Sequence, residues 1–161
     1  MEDNKYYTPE LSEFNLTFEY EVLDLVDDTD GQWEQETFYL NNSHIHLVKY
    51  VDIQDDESDY LIRVKYLDQE DIENLGFTYD NNHEPIPYRE NYNKGRIDHK
   101  SYAFEMETGI ESHHYFLTQF NDNIVWIEHA IGCAIQGYIF KGQIKNKSEL
   151  KRILNQLEIL S

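Results

Sequence analysis

Phe14-Asn15-Leu16-Thr17-Phe18-Glu19-Tyr20-Glu21-Val22 alternates apolar and polar side chains with a period of two. Successive side chains of a strand point to opposite faces, so this stretch reads as a β-strand with one buried and one wet side. It runs into Asp27-Asp28-Thr29-Asp30-Gly31, a turn by composition. Residues 32–40 then read as the return strand of a hairpin. The fold therefore begins as antiparallel β structure.

The same reading extends outward. Residues 45–53 are apolar and β-branched enough for another strand, and 54–59 form an acidic loop. Tyr60, Ile62, Val64 and Tyr66 alternate with Arg63 and Lys65, a further strand. Asp68 is placed to N-cap a short helix, with Glu70 and Asp71 in the first turn where the dipole favours acids. Ile72 and Leu75 share its inner side and Gly76 supplies a left-handed stop. Residues 77–100 read as a long loop with a short edge strand at 86–92. Tyr102, Phe104 and Met106 mark a strand, 115–120 and 124–128 flank Asn121-Asp122-Asn123 as a hairpin, and 136–144 form one strand more. Asn146 and Glu149 have the spacing of a capping box. Leu150, Ile153, Leu154 and Leu157 line one side of an amphipathic helix, with Lys147, Lys151 and Arg152 on the other. The expected class is α+β: a twisted antiparallel sheet, a C-terminal helix packed on one face, and a short helix near 68–75.

The 161 residues fit one domain, and their length is enough to bury a core without disulfide or metal. Aromatics make up 14% of the chain, more than disordered acidic segments carry, so folding is expected despite the charge. Cys133 is the one cysteine, which excludes an intramolecular disulfide and fits a reducing cytoplasm. The first residues have no basic start or apolar run of a signal peptide, and no apolar stretch is long enough to span a membrane.

Charge is the sharpest feature. The formal net charge is −19, and residues 1–60 hold 17 acidic and 2 basic side chains. Residues 91–161 hold eight of each. An excess of this sign repels nucleic acid and anionic membranes and attracts basic surfaces.

Three segments carry a family likeness. Thr8-Pro9-Glu10 with Glu13-Phe14 and Phe18-Glu19-Tyr20-Glu21 is the first. Ile62-Arg63-Val64-Lys65-Tyr66-Leu67-Asp68, continued by Glu70-Asp71-Ile72-Glu73 and Leu75-Gly76, is the second. Phe140-Lys141-Gly142 with Ile144-Lys145-Asn146-Lys147-Ser148-Glu149-Leu150-Lys151 is the third. Together they resemble small acidic proteins of Bacteroidota genomes and their phages. The likeness implies a bacterial or phage setting and brings no activity with it.

Motifs for catalysis are weak. Asp28-Thr29-Asp30-Gly31 resembles part of a calcium loop, but with Gly31 at the sixth position the first and twelfth are Val26 and Thr37, which cannot supply the carboxylates required. His44 and His46 share one side of a strand at a spacing that can chelate a metal, with His113, His114, His129 or Cys133 as a third ligand; their bland reading is an exposed side opposite Ile45 and Leu47. Cys133 lies among Ile131, Gly132, Ala134 and Ile135, which favours a buried, inert thiol over a nucleophile. Phosphate loops and nucleophile elbows are missing from the sequence. The expectation is no enzyme, no cofactor and no assigned metal.

The acidic side chains Glu19, Glu21, Asp27, Asp28, Asp30, Glu34, Glu36, Asp55, Asp56, Glu57 and Asp59 form the candidate partner-binding set. Carboxylates arrayed on one face of a rigid sheet imitate a phosphate backbone and fit a groove lined with Lys and Arg. The function expected is that of a phage or mobile-element inhibitor in the host cytoplasm. Its partner is a basic nucleic-acid-binding defence protein, of the CRISPR-effector or restriction-enzyme type, with no direct nucleic-acid or membrane binding. The alternatives are a phage structural or accessory assembly protein, in which the acids only aid solubility, and a small metal-dependent hydrolase.

Overall fold

The computed structural model describes residues 5–14, 17–26, 31–39, 60–80, 82–83, 98–108 and 111–160. The chain divides into two compact units, residues 1–66 with 146–149 and residues 67–145 with 150–161. The fold is α+β, built on two antiparallel sheets of four and five strands.

In the first unit β1 (Tyr6–Tyr7), β2 (Glu19–Asp24), β3 (Glu34–Thr37) and β4 (Tyr60–Lys65) lie in the order β1-β4-β2-β3. The expected hairpin is present, with Glu19 opposite Thr37 and Val22 opposite Glu34. The strand starts later than its alternation predicts. Thr17 sits at φ 69, a left-handed conformation that a strand cannot contain, so regular pairing begins beyond it. Phe18, Tyr20, Phe38, Ile62 and Val64 form the core of this unit, with Tyr7, Phe14 and Val22 packed against them. Residues 146–149 close it. Asn146 Nδ2–H donates to the Tyr7 hydroxyl at 2.8 Å, and the Glu19 amide donates to Ser148 Oγ at 2.9 Å.

The second unit opens with helix α1 (Gln69–Asn74). Asp68 caps it as expected: the Asp71 amide donates to Asp68 Oδ1 at 3.1 Å, and the Asp68 amide donates to Asp71 Oδ2. Gly76 ends the helix at φ 95, the left-handed stop read from the sequence. Five strands follow in chain order across the sheet: β5 (Thr78–Tyr79), β6 (His99–Thr108), β7 (Glu111–Phe120), β8 (Ile124–Ile131) and β9 (Ala134–Gln143). The loop expected over 77–100 thus gives up both ends, because Thr78 and Tyr79 pair with Ala103 and Tyr102 and β6 already starts at His99. Helix α2 (Lys147–Gln156) is capped by Asn146, whose Oδ1 accepts the Glu149 amide at 2.9 Å. Leu150 and Leu154 enter one cluster with Tyr102, Tyr115, Leu117, Val125 and Ile127, and Ile153 and Leu157 pack against it. That contact carries the apolar side read in the sequence. The strand expected at 45–53 and the edge strand at 86–92 lie outside the described residues.

One sheet was expected and two are found. Both edges of β4 are taken, by β1 and β2, and the chain leaves that sheet into the Asp68 cap. Among the described residues the later strands pair only among themselves.

Candidate functional site

The acidic set is the place to begin. Glu19, Glu21, Glu34 and Glu36 are described; Asp27, Asp28, Asp30, Asp55, Asp56, Glu57 and Asp59 lie outside the described residues, as do His44 and His46. Residues directly opposite in an antiparallel pair share a face. Glu21 is opposite Gln35 and Arg63, whereas Tyr20 is opposite Glu36 and Val22 opposite Glu34. Glu19 and Glu21 therefore lie on one face of the sheet, and Glu34 and Glu36 on the other, beside the buried Tyr20. The single acidic face expected for these four side chains is not formed. Alternation along each strand was read correctly, but the phase between the strands is set by the register.

Nor is the face of Glu19 and Glu21 purely acidic. Arg63 Nε–H donates to Glu21 Oε2 at 2.6 Å. Its guanidinium lies over the Tyr6 ring at 3.8 Å and the Trp33 ring at 3.9 Å. Two aromatic faces and a carboxylate hold this cation, an arrangement for which Arg suits better than Lys because its planar group stacks and donates at once. Glu21 is thereby partly neutralised, while Glu34 is exposed.

The second unit holds a buried ionisable pair. On the sheet face opposite the α2 cluster, His83 Nε2 and Glu128 Oε2 lie 2.6 Å apart, with the two side chains 4% and 1% exposed. Phe116, directly across from Glu128, stacks on the His83 ring at 4.0 Å and 3°. Ser101 and Thr118 share a hydrogen bond on the same face. Burying a carboxylate is expensive unless it is hydrogen-bonded, so this pair fastens the segment after β5 to the sheet. Among the described residues it is a clasp on that segment. The sequence hinted at half of it, since Glu128 interrupts an apolar strand; nothing marked His83.

His113 and His129 form a second pair. His113 Nδ1 and His129 Nε2 are 2.9 Å apart, and Glu111 Oε2 lies 3.9 Å from the other nitrogen of His113. Burial and the neighbouring His113 both hold the His129 pKa below the ordinary imidazole value. His114 turns to the opposite face, 3.8 Å from Glu105. Cys133, expected to be buried, is exposed in the turn between β8 and β9, because the chain reverses there and its apolar neighbours flank the turn instead of enclosing it. Among the described residues no group of three or more His, Cys, Asp or Glu side chains is placed to hold a metal. No described helix is long and apolar enough to cross a membrane.

Comparisons with protein-family models, curated proteins and solved structures return no match to this chain.

Proposed function

We propose that this chain is a binding protein rather than an enzyme. It acts as a phage or mobile-element inhibitor that presents its acidic N-terminal region to a basic nucleic-acid channel of a host defence protein, of the CRISPR-effector or restriction-enzyme type. The observation that carries this is the segregation of charge: 17 acidic against 2 basic side chains in residues 1–60, and parity in residues 91–161. A charge kept only for solubility has no reason to be confined to one part of the sequence. Confined charge creates a directional field that speeds encounter with a surface of opposite sign.

The sheet register refines the mode of docking. Carboxylates on both faces of one small sheet suit a cleft that encloses it better than a flat basic surface. A channel built to surround a nucleic-acid strand has that shape, and its Lys and Arg side chains meet carboxylates from two sides.

The test is a pull-down from bacterial host lysate at low salt, followed by competition with duplex DNA. Recovery of a nucleic-acid-binding protein that DNA displaces is the expected result. Joint reversal of Glu34 and Glu36 to Lys weakens that complex, more strongly at low salt than at high. A lysate that returns no nucleic-acid-binding protein overturns the proposal. Assembly into a closed oligomer, seen by light scattering, favours the phage assembly reading instead.

A further inference from the structure

The His113–His129 pair has an unusual geometry for two neighbouring rings on a sheet. Their planes differ by 12° and their centroids are 5.1 Å apart, while the facing nitrogens are only 2.9 Å apart. In an imidazole the nitrogen lies a little over 1 Å from the ring centre. Two such radii added to the nitrogen separation nearly account for the whole centroid distance. The rings are therefore almost coplanar and meet head to head, rather than lying one above the other. One nitrogen donates its N–H and the other offers its lone pair along the same line. With the donor ring in its other tautomer, its proton on the far nitrogen, both facing lone pairs point from opposite sides at a metal ion set between them.

The surroundings narrow the choice of ion. The described residues supply no third His, Cys, Asp or Glu, so a tetrahedral zinc site of protein ligands is not built from them. Met106, directly across from His113, stands on the side of His113 away from His129 and supplies no ligand. Two imidazoles opposed in line form a two-coordinate set, which suits Cu(I), whereas zinc takes four ligands. Glu111, next to the far nitrogen of His113, supplies the outer carboxylate that commonly orients a ligating imidazole.

The geometry points to a binding site for a monovalent soft metal ion, Cu(I), between His113 Nδ1 and His129 Nε2. Two metal–nitrogen bonds of about 2.0 Å in line span about 4 Å, so the rings must part by about 1 Å, a displacement within reach of small χ rotations on two half-buried side chains. The site belongs to the second unit and stands or falls independently of the inhibitory role.

The experiment is an anaerobic titration of the full chain with Cu(I) against a chromogenic Cu(I) chelator, in a Cys133→Ser background because an exposed thiol would bind copper by itself. One equivalent per chain is expected to be withdrawn from the chelator. His113→Gln and His129→Gln each abolish it, with circular dichroism confirming that the variants are folded. Glu111→Gln weakens binding by about tenfold, and Met106→Leu, on the far side of His113, leaves it unchanged. Failure of the Cys133→Ser protein to compete with the chelator overturns the inference. So does an equivalent retained by the folded His113→Gln/His129→Gln double variant, since the copper then sits elsewhere.

Discussion

At the scale of single residues the buried pairs decide most. His83→Ala removes the imidazole from Glu128, a carboxylate at 0% exposure, and breaking a buried pair in this way costs about 3–5 kcal/mol. Urea denaturation of His83→Ala should show a loss of that size. Joint replacement, His83→Phe with Glu128→Leu, removes both polar groups and keeps an aromatic ring against Phe116, and is expected to recover most of the loss. If the double variant is as unstable as the single one, the pair is not the clasp described here. Glu128 breaks the apolar run of its strand, but nothing in the amino-acid sequence marks its partner. A histidine's partner 45 positions away is fixed by tertiary packing, which leaves no periodic trace. The same holds for Arg63, whose place in a strand was evident while its enclosure by Tyr6, Trp33 and Glu21 was not.

Elements were far more legible, because their signals are local. The Asp68 cap, the Gly76 stop, the Asn121–Asn123 hairpin and the apolar side of α2 all rest on neighbours within a turn or two. Register is not local, which is why the first hairpin was recognised and the faces of its glutamates were not. Asn146 illustrates both kinds of information in one side chain. Its Oδ1 caps α2, as the spacing to Glu149 implied, and its Nδ2 reaches Tyr7, which no spacing implied. Asn146→Ala removes the cap, worth about 1 kcal/mol, and a buried hydrogen bond worth about 1 kcal/mol. Asn146→Asp keeps an acceptor for the Glu149 amide but loses the donor to Tyr7, so it should fall between wild type and Asn146→Ala in thermal melts.

At the scale of the whole molecule each unit carries a buried tyrosine hydroxyl for which the described residues provide no hydrogen-bond partner: Tyr20 in the first and Tyr102 in the second. Burial, assisted by Glu36 for Tyr20 and by Glu73 for Tyr102, pushes both pKa values up to about 12. Below pH 10 both the native and the unfolded chain keep these protons, so stability does not depend on them. Between pH 10 and about 12 the unfolded chain loses protons that the native one retains, and stability falls as pH rises. Each tyrosine should account for about 1–2 kcal/mol of that loss. Tyr20→Phe and Tyr102→Phe are expected to flatten the alkaline limb of urea midpoints between pH 9 and 11 without lowering stability at pH 7. An unchanged limb in both variants would place the alkaline sensitivity elsewhere. The closure of the first unit by residues 146–149 has a consequence in time. Tyr7 and Glu19 meet their partners Asn146 and Ser148 across separations of 139 and 129 residues. A ribosome adding about 5–20 residues each second must work for many seconds between making the first half of each bond and the second. During that interval the most highly charged part of the chain waits unfinished, and its mutual repulsion helps keep it from aggregating until the closing residues arrive.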